Sequence, residues 1–164
     1  PEPTVAPGAG LPAMPLGAEP SPRLSKDNGF RNVQMGQDRE SIEGLQRRKM
    51  WDDKALGLRA YAMKKEYKLV GAATVERIIY RFLDDQVYSI EVLGEGLMAC
   101  DTLLAVLTEM YGPGKKGQSG YDQMTWWGED VTLMFTSMVD CSAEYIWLSK
   151  YREIVVGEGS TAAP

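Results

Sequence analysis

The amino-acid sequence predicts an α+β domain: a twisted antiparallel sheet with two helices packed on one face, in the order β-α-ββ-ββ-α-βββ. Three observations point there. Residues 77–92 and 121–136 form paired runs in which aromatic and aliphatic side chains alternate with polar ones, the signature of half-buried strands. Residues 99–111 carry apolar side chains at helical spacing. Seven of the nine prolines fall in the first 22 residues, so the remainder is almost free of the residue that most disrupts both helix and sheet.

The N-terminal stretch "PEPTVAPGAGLPAMPLGAEPSP" is expected to be a semi-extended, solvated spacer, because closely spaced prolines deny the backbone its helical hydrogen bonds and hold φ near the polyproline value. On this basis residues 1–27 are a disordered Pro-rich spacer, 28–156 a single α+β domain and 157–164 a flexible C-terminal tail. The body opens with a strand, Phe30 to Met35, followed by a turn at Gly36 and a brief helix. Asp38 would cap that helix, which would carry Glu40, Ile42 and Leu45 and end near Gly44. "LGLRAYAMKKEYKLVG" reads as a hairpin, Leu58 to Lys64 against Tyr67 to Val70, around a charged turn.

In "VERIIYRFLDDQVYSIEVLG", Ile78, Tyr80 and Phe82 share one face, and Tyr88, Ile90 and Val92 share a face of the next strand. Matching the two sets predicts the pairs 82 with 86, 80 with 88 and 78 with 90. That register leaves a three-residue loop, Leu83-Asp84-Asp85, with Asp85 at positive φ, and sets Arg77 opposite Glu91. "ACDTLLAVLTEMYGPG" is an amphipathic helix capped by Asp101, with Leu103, Leu104, Leu107, Met110 and Tyr111 on one side and Gly112-Pro113 as its stop. "YDQMTWWGEDVTLMFTS" is a hairpin turning at 128–130, its Val131, Leu133 and Phe135 on one face. "EYIWLSKYREIVV" reads as a last strand covered on both sides.

Composition narrows the chemistry. The chain has no histidine, which removes Ser-His-Asp and Cys-His nucleophile systems, HExxH metalloproteases and the usual proton shuttle near neutral pH. A net charge of −5 argues against nucleic acid as a partner, since phosphate binding needs clustered Lys and Arg. The one basic triplet, Arg47-Arg48-Lys49, is followed at once by Asp52 and Asp53 and reads as a solvated surface segment. No apolar run approaches the roughly 18 residues of a membrane span. Asp84-Asp85 and Glu129-Asp130 sit at expected turns, where adjacent side chains point apart; they lack the facing geometry of a glycosidase pair and the spacing of a calcium loop. No catalytic residue, cofactor or metal site is expected.

"GPGKKGQS" at 112–119 fits a phosphate-binding loop except that Gln118 stands in place of the lysine. Such a loop follows a strand and opens a helix, whereas this one follows a helix and leads to a strand, so it reads as a mobile linker with solubilising Lys115 and Lys116. A nucleotide-binding or hydrolytic enzyme using loop 112–120 is the alternative reading, and a structural dimerisation domain joined at an edge strand is another.

Cys100 and Cys141 are a candidate disulfide pair, fitting an exported domain; two buried free thiols are the alternative. The aromatics Tyr121, Trp126, Trp127 and Trp147 form the candidate binding surface. Since neighbours in a strand face opposite ways, one of Trp126 and Trp127 is expected in the core and the other outward.

The run "GFRNVQMG", "YAMKKEYKLVGAA", "ERIIYRFLDDQVYSIEV", "LLAVLTEMYG" and "MTWWGEDVTLMF" resembles a family of small exported or lipoprotein-like bacterial domains, over roughly residues 29–153. The resemblance implies a periplasmic or outer-surface location and carries no catalytic residue with it. Together with the spacer and a first residue consistent with a removed signal peptide, it sets the expectation of a non-catalytic cell-envelope domain. Such a domain is lipid-tethered and binds a protein or a wall or lipid component through its aromatic sheet surface.

Overall fold

The computed structural model describes residues 11–117 and 122–162, with the backbone alone from 156 onward. Its elements run in chain order as helix α1 (Pro22–Asp27), strands β1 (Gly29–Phe30), β2 (Val33–Gln34), β3 (Leu45–Arg47), β4 (Arg59–Met63), β5 (Leu69–Val70), β6 (Ala73–Thr74), β7 (Arg77–Leu83) and β8 (Gln86–Gly94), then helix α2 (Leu97–Tyr111), strands β9 (Lys115–Lys116), β10 (Asp122–Trp127), β11 (Val131–Ser137) and β12 (Cys141–Trp147), and helix α3 (Leu148–Ala162). Eight of the strands make one antiparallel sheet in the order β3-β4-β7-β8-β12-β11-β10-β9. The α+β class with an antiparallel sheet is therefore as the sequence predicts.

The sheet is two meanders joined at their last strands, β8 beside β12. Helix α2 makes this join feasible: it carries the chain from β8 in mid-sheet to β9 at the far edge, so the second meander returns inward and ends against the first. Leu103, Leu107 and Tyr111 of α2 pack on Ile78, Tyr80, Phe82, Ile90 and Val92 of the first meander and Leu133, Phe135 and Tyr145 of the second. Burying side chains of this size contributes about 1.5–3 kcal/mol each. Leu24 of α1 is part of the same core. A second cluster on the opposite face joins Leu58, Tyr88 and Ile146 to Tyr151 and Ile154 of α3.

Several expectations are corrected. The fold reaches further towards the N terminus than Asn28. Ser21 caps α1 by accepting from the Leu24 N–H, Pro22 occupies the first turn, and Leu24 is wholly buried, so part of the stretch expected to be spacer is built into the body. Phe30 to Met35 is not one strand but a tight hairpin, β1 with β2, turning at Arg31 with φ 56°. The helix expected after Asp38 shrinks to a single 3-10 turn, Arg39–Ser41, and Leu45 begins a strand instead. Strand β4 pairs with β3 and β7, while Leu69–Val70 turns back on Ala73–Thr74, so the expected 58–70 hairpin does not form. The stretch after Leu148 is helical, not a strand.

The β7–β8 hairpin shows how a single residue redirects a face. Its loop has two residues, Asp84 (φ 51°) and Asp85 (φ 63°), the geometry whose twist suits a tight hairpin. Leu83 therefore pairs with Gln86 and Phe82 with Val87, but Arg81 pairs with Ser89, leaving Tyr88 as a bulge. Beyond it the pairs are 80 with 90 and 78 with 92. Val87, Ile90 and Val92 thus face the main core, and Tyr88 is sent to the second cluster. Arg77 lies across from Leu93 instead of Glu91, and its guanidinium stacks 4.8 Å from the Trp51 ring.

The basic triplet is also more structural than expected. Arg47 forms a two-pronged ion pair with Asp52 at 2.5 and 2.8 Å, and Asp52 further accepts from the Ala60 N–H. The guanidinium hydrogen bonds hold the Asp52 carboxyl down to about 2. Its contribution to stability is present above the ordinary carboxylate range and is lost as pH falls through that value.

Candidate functional site

Of the aromatic surface expected from the sequence, the two tryptophans of β10 are covered. Trp126 is 2% exposed and its indole N–H donates to the Gly112 carbonyl at 2.7 Å. Trp127 does face the other side of the sheet, but it is only 9% exposed because the chain's own N-terminal segment lies over it: its indole donates to the Pro12 carbonyl at 2.9 Å, and its carbonyl accepts from the Ser21 N–H at 2.7 Å. Trp147 is half-buried, with its indole donating to Asp130 at 3.0 Å. Tyr121 lies outside the described residues. The two tryptophans alternate across β10 as the sequence predicts, whereas the segment that covers Trp127 has no local signal, since nothing near Pro12 marks it as the partner of the indole.

Trp147 also rests on Gly36, whose φ is 81° and where an added Cβ would lie 3.0 Å from the indole. Gly36→Ala is expected to cost about 1–2 kcal/mol, from backbone strain and displacement of the ring. Chemical denaturation measures it, and a loss within 0.5 kcal/mol, roughly the range of a neutral surface change, would contradict it.

The glycine-rich loop behaves as a helix stop. The Gly112 N–H closes α2 on the Thr108 carbonyl, and Lys115–Lys116 then pair with Met124–Thr125 as an edge strand instead of forming a mobile linker. Residues 118–121 of the loop lie outside the described residues. The acidic pairs serve turns and caps: Asp85 bonds Arg39 at 3.0 Å, and Asp130 accepts from the Ser149 N–H and hydroxyl at the start of α3.

A pair of carboxylates that sequence reasoning missed sits on the sheet face opposite α2, where Glu91 of β8 is directly across from Glu144 of β12. Glu91 accepts from the Arg81 guanidinium at 2.8 Å and from the Ser142 hydroxyl at 2.8 Å. Burial, then the charge of Glu91, raises Glu144 from the ordinary 4.5 to about 7; Asp53 adds to this, while Arg81 and the Ser89 hydroxyl oppose it. Between those values the folded state binds more protons than the unfolded chain. Stability from this group is therefore full below pH 4.5 and lost as pH rises from there through 7. Glu144→Gln is expected to raise the melting temperature at pH 8 and leave it almost unchanged at about pH 4, below both values; equal shifts at both pH values would refute this.

The strongest surface feature lies at one end of the molecule. Leu97 (65% exposed) and Met98 (83%) begin α2, and Met138 (65%) and Val139 (70%) form the β11–β12 turn. The two segments are neighbours: the Gly96 N–H donates to Asp140 at 3.0 Å, and the Cys100–Cys141 disulfide, buried beneath, joins α2 to β12 with Cα atoms 5.7 Å apart. Beside Met98 opens a cleft of about 570 Å³ lined by Thr74, Val75, Glu76, Glu95 and Thr102. Glu95 is raised above the usual carboxylate range because Glu76 shares a hydrogen bond with it and repels its charge; burial and Asp140 contribute and Arg77 opposes. The sequence points to the cysteine pair of this end but not to its exposed apolar side chains, since exposed Leu and Met beside an amphipathic helix resemble core residues until the packing is known.

Among the described residues no helix is long and apolar enough to cross a membrane, and no three His, Cys, Asp or Glu side chains are grouped to hold a metal ion. These features define an antiparallel α+β domain with a disulfide-braced apolar end. Comparison of the chain with protein-family models, with curated proteins and with solved structures finds no match.

Proposed function

We propose that the chain is a non-catalytic binding domain of the bacterial cell envelope, tethered through its Pro-rich N-terminal stretch, and that it takes its partner at the disulfide-braced end instead of on the aromatic strands. The observation that carries this reading is the Cys100–Cys141 bond directly under four exposed apolar side chains. Disulfides persist in oxidising, extracytoplasmic compartments. A contiguous exposed apolar patch on a folded domain marks an interaction site more often than an accident of composition. The lack of histidine and the family resemblance of the β7–β8 and β10–β11 hairpins point the same way.

The compartment is tested on the full-length gene product in its own cells, by fractionation together with thiol alkylation before and after reduction. The expected result is recovery with the envelope fraction and two cysteines that react only after reduction. Free thiols in protein recovered from the cytosol would overturn the reading.

A further inference from the structure

From the juxtaposition of exposed Leu97, Met98, Met138 and Val139 with Asp140 beside them and with Glu76 and Glu95 in the cleft that Met98 borders, we infer that this end is a docking site for a basic amphipathic peptide segment of another protein. The inference rests on the binding-domain reading above and names the partner's chemistry.

Two properties of the surface select that occupant. Methionine is unbranched and polarisable, so Met98 and Met138 can conform to apolar side chains of varied shape, and Leu97 and Val139 extend the same apolar surface. The carboxylates then decide the charge of the partner. Glu76 and Glu95 line the same cleft, and Asp140, bonded to the Gly96 N–H next to Glu95, adds to the same field. Arg77 is the nearby cation, but its guanidinium is stacked over Trp51. Lysines or arginines flanking an apolar stripe would relieve this like-charge crowding. An anionic lipid surface would be repelled by it, and a second copy of the same end would place carboxylates against carboxylates. Asp140 has a further role, since by accepting from the Gly96 N–H it holds the β11–β12 turn against the start of α2, which keeps the apolar patch in one piece.

Fluorescence anisotropy with a labelled helical peptide of leucine on one face and lysine on the other, compared with a leucine–glutamate counterpart, tests the inference. The lysine peptide is expected to bind saturably and the glutamate peptide not. Affinity should fall by about tenfold or more in Met98→Ser/Met138→Ser and, separately, in Glu76→Gln/Glu95→Gln, and should weaken as salt is added. All four substituted positions are exposed, and circular dichroism melts should show both variants folded. Equal binding of the two peptides, or undiminished binding by either folded variant, would overturn the inference. So would uptake onto phosphatidylglycerol vesicles, or a concentration-dependent dimer abolished by Met98→Ser, because each assigns the patch to another occupant. Peptide binding by a protein whose thiols prove free in cells would sink only the compartment, and loss of peptide binding with the disulfide formed would sink only the docking site.

Discussion

Trp126→Ala is expected to lower the unfolding free energy by about 3–5 kcal/mol, the usual cost of removing a buried large aromatic side chain. Trp126 sits in the main core, where its ring packs against Gly114 so closely that a Cβ there would lie 2.8 Å from it. Truncation also strips the Gly112 carbonyl, the last cap of α2, of its indole donor. The hairpin β10–β11, the end of α2 and the edge strand β9 are thus loosened together. Denaturant titration reads the loss, and Trp126→Phe should recover most of it, leaving about 1 kcal/mol for the unmade hydrogen bond. A loss below about 0.5 kcal/mol, typical of exposed positions, would mean that the residue faces solvent as a binding aromatic would.

Removing the disulfide is expected to cost nearly as much. Closing a loop of sequence separation 41 contributes about 4 kcal/mol in the chain-entropy description. For a domain of this size that corresponds to roughly 8–16 °C in melting temperature. Cys100→Ala/Cys141→Ala is the cleaner variant, because serine would leave two buried hydroxyls in search of partners. Both sulfurs are buried where α2 meets the start of β12, so their loss removes the covalent tie between the first turn of α2 and the β11–β12 turn. The two halves of the apolar end are then held only by packing and by the Gly96–Asp140 hydrogen bond. Melting with and without reductant should therefore reproduce the variant's shift, and a shift below about 2 °C would show that packing alone holds the two elements together.

These effects arise where reading along the chain worked and where it did not. The α2 stripe of Leu103, Leu107 and Tyr111 and the β10–β11 hairpin turning at Gly128 were legible because their signals are local: 3.6-residue spacing in one, strict alternation in the other. The region from Ser41 to Arg47 misled, because its apolar residues are too few to distinguish a helical turn from an edge strand, and the pairing of Leu45–Arg47 with Tyr61–Met63 settles it from outside. Residues 148–155 misled for a different reason. Their aromatic and aliphatic alternation imitates a strand, but Asp130, arriving from the β10–β11 turn, caps the Ser149 N–H and starts a helix.

The candidate sites divide the same way. Trp126 and Trp127 do face opposite sides of the sheet, yet whether either is open depended on Pro12 and Gly112, residues far away in sequence. The Glu91–Glu144 pair and the apolar end both come from β8 and β12 lying side by side, a long-range choice made by the α2 crossover.

By itself the sequence determined the class of fold, the identity of its main hairpins and central helix, and a chemistry without histidine. Those follow from periodicity and composition, which act over a few residues. Only the tertiary structure decided which aromatic faces are covered, which acids meet and where apolar side chains remain in water. Burial is a property of what arrives from elsewhere in the chain, and a pattern repeating every two or four residues holds no information about that.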